Sequence, residues 1–258
     1  MTASLLRAKG IAATLGRRSV LEKVDLAVAA GELVVVIGPN GAGKTTLVRR
    51  LAGLLDGPGS IHIGDQRSEA LSPRVRARRI GYLPQGHVFH WPLSVADVVA
   101  LGRIPHGAGA ADLGESDRAA VLRALEATGT LDFAERAVTT LSGGERARVA
   151  LARVLAGEPE IILVDEPVAA LDVRYQFVVL DLLRERARAG AAIVAVLHDL
   201  SLAARYADRL VLIAGGRIVA EGPPAAVLTE HNLAATFGIR ATIETQEGRL
   251  IVTPQGAI

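Results

Sequence analysis

The chain has 258 residues and a mass of 26.9 kDa; half of its residues are hydrophobic and its mean hydropathy is +0.33. A helix that spans a bilayer needs roughly 20 apolar residues, and the longest unbroken apolar run here, 191–197, has seven, so no transmembrane segment is expected. The 29 basic and 27 acidic residues nearly cancel, aromatics make up only 3%, and cysteine is absent. So few aromatics cannot build the stacking platforms that bind single strands, which argues against nucleic acid as a partner. Without cysteine there is no disulfide framework and no thiolate site. Residues 1–10 carry neither the apolar run nor the small-residue cleavage site of a secretory signal, and the cytoplasm is the expected compartment. Only three basic residues are lysine, Lys9, Lys23 and Lys44; the arginine excess, beside abundant alanine, reads as coding bias rather than function.

In chain order, the alternation of apolar and polar residues over 5–28, interrupted by Gly16, predicts antiparallel strands. The run Leu33-Val-Val-Val-Ile37 predicts a strand buried on both faces, and short strands are expected at 61–63 and 80–83. From 93 to 157 the pattern is helical only. Ser94 can cap a helix that runs to 101, residues 115–128 place Val121, Leu122 and Leu125 at helical spacing, and residues 145–156 do so with Val149, Ala152, Val154 and Leu155. Between the first two helices, 103–114 is rich in Gly and Ala and is expected as a mobile loop. Apolar strands return at 161–164, 192–197 and 210–213. Gly215 and Gly216 mark a hairpin turn into 217–220, and a polar segment ends the chain. This alternation implies an α/β fold with a parallel sheet, an N-terminal antiparallel β subdomain and an inserted all-α subdomain. The expected division is a core of 1–92 and 158–238, a helical part at 93–157 and a C-terminal segment at 239–258.

Directly after the first buried strand come Gly38, Pro39, Asn40, Gly41, Ala42, Gly43, Lys44, Thr45 and Thr46, which complete the pattern strand, glycine loop, Lys-Thr, helix. Glycines let backbone N–H groups turn inward around phosphate oxygens, and the following helix points its positive end at the same anion. Lys44 is expected on the β- and γ-phosphates and Thr45 on Mg²⁺. Asp165 and Glu166 close the strand at 161–164, and ligands of open α/β sheets bind at the carboxyl ends of strands. Taken alone, such a pair could equally end the strand into solvent. Beside a phosphate loop it assigns Asp165 to Mg²⁺, through its water, and Glu166 to the water that attacks the γ-phosphate. Gln85 and His198 also follow apolar strands, within reach of a γ-phosphate.

Leu141, Ser142, Gly143, Gly144 and Glu145 open the helix at 145–156. A Ser and two glycines there offer a second anion site, although Ser before a glycine turn is by itself a common N-cap. His87, His90 and His106 read as surface or interface residues rather than a metal site, being spaced along a loop with no cysteine. Trp91 beside Pro92 reads as an anchor against a partner helix, and Arg78 and Arg79 as a solvated face.

A phosphate loop, a strand-end Gln, a Ser-Gly-Gly helix start, an Asp-Glu pair and a strand-end His, in this order, resemble the nucleotide-binding subunit of ABC transporters over nearly the whole chain. The resemblance implies a P-loop NTPase core of RecA type and an ATPase with ATP and Mg²⁺ as cofactors. It makes 38–46 Walker A, Gln85 the Q-loop, 141–145 the signature, 161–166 Walker B, 170–172 the D-loop and His198 the switch histidine. Glu166, His198, Gln85 and Lys44 are then the catalytic set, and Thr45, Gln85 and Asp165 the Mg²⁺ ligands. It also implies a head-to-tail homodimer, in which Walker A of one subunit and Ser142, Gly143 and Gly144 of the other enclose each ATP. Three places depart from the family pattern. Leu15-Gly16 stands where Tyr-Gly usually stacks on adenine, Val168-Ala169 precedes the D-loop where Thr-Ser is more common, and Glu145 replaces a frequent Gln.

Segments 81–85, 98–106, 171–176 and 196–201, with the tail at 222–238, resemble more narrowly the ATPases of bacterial importers for iron chelates, haem and cobalamin. Similar segments occur in ATPases of zinc and manganese importers, to which 90–92 has a likeness. The implied assembly is a homodimer on two membrane-spanning permease subunits, docked through 85–106, with a periplasmic substrate-binding protein acting indirectly. Its implied place is the cytoplasmic face of the inner membrane, as a peripheral subunit. A soluble ABC ATPase without a permease is the alternative; the sequence shows neither the coiled-coil inserts of repair members nor the tandem units of ribosomal ones.

Overall fold

A computed structural model describes residues 4–86, 88–108, 113–246 and 249–258. Strands β1 (Ser4–Leu15) and β2 (Arg18–Ala29) form a long antiparallel hairpin whose turn begins at Gly16, φ +61°. Leu6 and Ala8 are buried at even positions, Ile11 and Ala13 at odd ones. The switch is a bulge around Gly10, whose N–H donates to Asp25 Oδ1 at 2.5 Å. On β2 the buried positions change parity between Leu21 and Val24, at Lys23, φ +49°. Together the two irregularities keep one face of the hairpin apolar along its length.

The chain then enters a second sheet with β3 (Leu33–Ile37), followed by α1 (Lys44–Leu51). β4 (Ser60–Ile63) and β5 (Gln66–Arg67) return to the first sheet, whose order is β2-β1-β4-β5. After α2 (Pro73–Arg79), β6 (Ile80–Leu83) joins the second sheet. The helical stretch follows: α3 (Val95–Ala100), a 3-10 helix Leu101–His106, α4 (Glu115–Ala127) and α5 (Gly143–Ala156). β7 (Ile161–Asp165), α6 (Val173–Arg188), β8 (Ala192–Val196), α7 (Leu200–Tyr206), β9 (Arg209–Ala214) and β10 (Arg217–Gly222) complete the sheet. Its order is β10-β9-β3-β8-β7-β6, parallel except for β10 at one edge. This is the α/β architecture with an antiparallel β layer and a helical insertion that the sequence implies.

Every residue of β3, β7 and β8 is buried, because both faces are covered. Leu33, Val35 and Ile37 pack with the helices α3 to α6, while Val34 and Val36 pack with α1 and the hairpin sheet. One strand thus serves two cores, each buried Val or Leu contributing about 1.5–3 kcal/mol.

The structure corrects several expectations. In α4 the buried stripe is Ala120, Val121, Ala124 and Leu125, and Leu122 is exposed; Leu122 falls about 100° around the helix from Val121, away from the packed side. The loop expected at 103–114 begins as the 3-10 helix, and residues 109–112 lie outside the described residues. Arg103, 6% exposed, holds that stretch down by donating to Asp117 Oδ1 at 2.7 Å, the Ala156 carbonyl at 2.9 Å and Glu158 Oε2 at 2.9 Å. Arg79 is not part of a solvated face: it is half-buried, paired with Glu160, and donates to the Ile63 carbonyl at 3.2 Å, while Arg78 donates to the Pro105 carbonyl at 2.6 Å. The polar tail is structured as α8 (Pro224–Val227), α9 (Glu230–Phe237) and a hairpin of β11 (Ile239–Gln246) and β12 (Arg249–Ala257), and its Ala241 and Val252 join the main core.

Arg103→Ala leaves Asp117 and the Ala156 carbonyl without their donor, and is expected to lower unfolding stability by about 2–3 kcal/mol. Arg123→Ala, which removes only the exposed ion pair with Glu158, should cost less than about 0.5 kcal/mol in the same urea titrations.

Candidate active site

Four strand ends of the parallel sheet open on one cleft. Gly38 leaves β3, Gln85 follows β6 by two residues, Asp165 ends β7, and His198 follows β8 by two. A cleft of about 740 Å³ is lined by Asn40, Gly41, Gly43, Lys44, Thr45, Thr46, Gln85, Glu166 and His198, and on its outer side by Leu15, Arg18 and Val20. Of the residues singled out in the sequence, Gly38, Pro39, Ala42 and Asp165 do not themselves line it, and neither do 142–144.

The loop at 38–43 takes its path because two positions have no room for a side chain. A Cβ on Gly38, φ +151°, would stand 2.1 Å from the Ile213 carbonyl oxygen, and one on Gly43, φ +106°, 2.8 Å from that of Val20. Helix α1 has neither a capping side chain nor an acid in its first turn. Its first N–H groups and positive end therefore face the cleft without internal compensation. Lys44 is 6% exposed, and its Nζ donates to the carbonyls of Gly38 at 2.8 Å and Pro39 at 3.0 Å. Burial pulls its pKa below the ordinary lysine value, while the carboxylates of Glu166 and Asp165 act against that pull.

Asp165 is fully buried, and neither carboxylate oxygen has a hydrogen-bond partner. Burial pushes its pKa up; the nearby Thr45 hydroxyl, outside strict hydrogen-bonding geometry, favours the charged form, as do Arg49 and Lys44, and Glu166 opposes it. A carboxylate with unused oxygens beside a threonine hydroxyl fits Mg²⁺, which takes one or two protein oxygens and completes its shell with phosphate and water. No cluster of three or more His, Asp or Glu side chains that could hold an ion occurs among the described residues, so a resident all-protein metal cage is not what is built here.

Glu166 has φ +54°, an uncommon conformation for a side chain that size. Its N–H donates to the Val196 carbonyl at 3.2 Å, which locks the turn after β7 against β8. The turn aims the carboxylate into the cleft, where Gln85 Nε2 donates to Oε2 at 2.8 Å and His198 Nε2 lies 2.5 Å from Oε1.

Ser142 caps α5 in a reciprocal box: its hydroxyl accepts from the Glu145 N–H at 3.3 Å and its N–H donates to Glu145 Oε2 at 2.7 Å. These bonds, Ser142 N–H first, hold the Glu145 pKa below the usual value. Gly143 faces open space. This capped helix start lies outside the residues that line the cleft. Of the histidines, His106 Nε2 pairs with the Gly157 carbonyl at 2.9 Å, His90 stands edge-on to Trp91, and His87 lies outside the described residues.

The family model for ABC transporters matches residues 21–169, more than half of the chain. The chain belongs to the ABC transporter ATP-binding family. It is 46% identical over 255 residues to the hemin import ATP-binding protein HmuV of Streptomyces coelicolor, covering 97% of this chain and 90% of that protein. It is 42% identical to the HmuV of Myxococcus xanthus, with 97% of both chains covered. The cobalamin import ATP-binding protein BtuD of Halobacterium salinarum is 41% identical, over 95% of this chain and 62% of that one. Among solved structures, an inward-facing ABC transporter described as of metal-chelate type superposes with a TM-score of 0.83 at 26% identity, covering 98% of each chain. A dimeric ATP-binding cassette in a post-hydrolysis state with ADP and phosphate has a TM-score of 0.76 at 29% identity, covering 85% of this chain and 98% of that one. The cassette is therefore an ATPase, and the cleft over α1 is its candidate nucleotide site.

Arg18 and Val20 line that site although no motif marks them. Their only signal is the hairpin pairing of Leu15 with Arg18 across Gly16, which the alternation shows but the register alone locates.

Asp165→Asn replaces a buried, unpaired charge by an isosteric amide. It is expected to stabilise the nucleotide-free cassette by about 1–2 kcal/mol at neutral pH while weakening Mg²⁺-dependent nucleotide binding. Because folding raises the Asp165 pKa, this group favours the native state below its unfolded pKa and loses that contribution as pH rises through the folded value. The gap in thermal midpoint between variant and wild type should accordingly shrink as the pH is lowered.

Proposed function

We propose that this chain is the energy-coupling ATPase of a bacterial importer for haem or a related iron chelate or cobalamin, acting as a homodimer on two membrane-spanning permease subunits. The observation that carries the chemistry is Glu166, held by Gln85 and His198 at the end of the cleft that contains Lys44. Lys44 and the N–H groups of 41–46 bind the β- and γ-phosphates. Glu166 takes the proton of the attacking water at its carboxylate, and His198 and Gln85 keep that carboxylate aimed. Thr45, Asp165 and the carbonyl oxygen of Gln85, whose amide nitrogen is committed to Glu166, would hold Mg²⁺, which would supply neutralisation of phosphate charge.

Ser142, Gly143 and Gly144 complete the nucleotide site of the partner in this reading. Their outward-facing helix start, outside the chain's own cleft, supports it. So does the likeness to a dimeric cassette. The permease docks through 85–106 in this reading. Within 85–106, Val88, Trp91, Leu93 and Ile104 are exposed, Val88 and Trp91 to 76% and 72%, apolar side chains of the kind a partner helix covers. No helix of the described residues is long and apolar enough to cross a membrane, in keeping with a peripheral place on the cytoplasmic face. Haem and its relatives as cargo, delivered by a periplasmic binding protein, rest on the likeness to haem and cobalamin import proteins over 95% or more of this chain.

Glu166→Gln is expected to retain ATP, to lose at least about 100-fold in turnover, to accumulate as an ATP-bound dimer on size exclusion, and, with its permease, to abolish haem uptake by vesicles. Undiminished turnover would remove Glu166 from its role, and uptake of zinc or manganese instead of haem would change the cargo. Leu15→Tyr, which supplies the stacking face the hairpin lacks, should lower the KM for ATP several-fold, as an aromatic contact of about 1 kcal/mol would.

A further inference from the structure

Arg148 and Tyr175 have no part in the cleft, yet they are the closest cation and ring among the described residues. Arg148 lies two turns into α5 from Ser142 and is 5% exposed. Its guanidinium carbon is 3.9 Å from the centroid of the Tyr175 ring and 5.5 Å from that of Phe133. One nitrogen donates to the carbonyls of Thr128 at 3.2 Å and Gly129 at 2.5 Å, and Nε is buried without a partner. Tyr175 stands in the first turn of α6, where its N–H donates to Asp172 Oδ1 at 3.0 Å.

At the start of α5, a Cβ on Gly144 would be 3.3 Å from the Ala170 carbonyl oxygen and 3.5 Å from a Leu171 methyl. The main chain leads from there to Glu166 through two turn bonds, Leu171 N–H to the Val168 carbonyl at 3.1 Å and Ala169 N–H to the Glu166 carbonyl at 3.3 Å. The missing side chain at Gly144 lets the start of α5 lie close to 170–171 but adds no attraction of its own. α5 and α6 share the apolar core, and the stack of cation on ring adds a specific link between the two helices.

We propose that the stack of Arg148 on Tyr175 is a positioning clamp, which ties the 142–144 end of α5 to the Glu166 turn of the same subunit. Nucleotide on a partner's phosphate loop that engages 142–144 then biases Glu166 in this subunit, through a contiguous set of contacts. The proposal rests on the homodimer reading above. Arg148 and Tyr175 act as positioning residues, since neither meets the reacting atoms.

The test uses the purified full chain and compares wild type with Tyr175→Phe, which keeps the ring, and Tyr175→Leu, which does not; Tyr175→Met replaces the latter if it fails to fold. Wild type and Tyr175→Phe should show a sigmoidal dependence of ATPase rate on ATP. Tyr175→Leu should become hyperbolic and lose at least about fivefold in kcat, the lower end of typical coupling between sites, with unchanged binding of a fluorescent ATP analogue to dilute monomer. A merely structural ring would alter the unfolding midpoint without changing the shape of the rate curve. An unchanged curve in Tyr175→Leu, or a hyperbolic one in wild type, overturns the clamp. Glu166→Gln with ATP, run alone and combined with Tyr175→Leu on size exclusion, separates the two ideas: a dimer with no change in cooperativity defeats the clamp alone, whereas a persistent monomer defeats the homodimer reading and the clamp with it.

Discussion

A buried carboxylate without a hydrogen-bond partner sets the terms for the rest of this cassette. Asp165 ends β7, next to the edge strand β6, and is fully buried, and a charge there is unfavourable unless something positive comes to it. The fold supplies part of that compensation. β8 brings β7 to within one strand of β3, so the start of α1 and the ammonium of Lys44 face the acid from across the sheet edge. The remainder is not met by any hydrogen bond within the chain.

The residue next to Asp165 solves the opposite problem. Glu166 must leave the sheet and reach solvent-facing substrate within one peptide unit, and it does so in a left-handed backbone conformation anchored on β8. Such a conformation persists only where neighbours over-determine it. Here Val196 of β8 holds the N–H, while Gln85, just after β6, and His198, just after β8, hold the carboxylate of the residue that follows β7. Three strands thus set the aim of one side chain, and the turn that begins at Glu166 runs directly into the segment packed under Gly144.

The chemistry of the phosphate loop was legible in the sequence because its requirements are local. Gly38 and Gly43 must be glycine where they stand, and Lys44 and Thr45 must follow at the start of a helix. Burial of β3, β7 and β8 on both faces was legible for the same reason, as unbroken apolar runs. Residues whose partners lie far along the chain were not. Arg79 finds Glu160, Arg103 finds Asp117 and Glu158, and Arg18 reaches the cleft through a hairpin register; in the linear text each is one of many arginines. Leu122 looked like its apolar neighbours, and only the angle around α4 turned it outward. The tail read as polar because just one face of its hairpin, at Ala241 and Val252, is covered.

What the sequence determined by itself was therefore the set of reacting groups and the sheet that carries them, since a glycine loop, an acid pair and apolar strands are properties of neighbouring residues. The tertiary structure alone decided which strand ends meet. The order β3-β8-β7-β6 follows from how crossover helices pack on the two faces of the sheet, a matter of volume and handedness rather than of any motif. That order brings Gln85 and His198 each within hydrogen-bonding distance of Glu166, and leaves Ser142, Gly143 and Gly144 at the start of a helix outside the cleft.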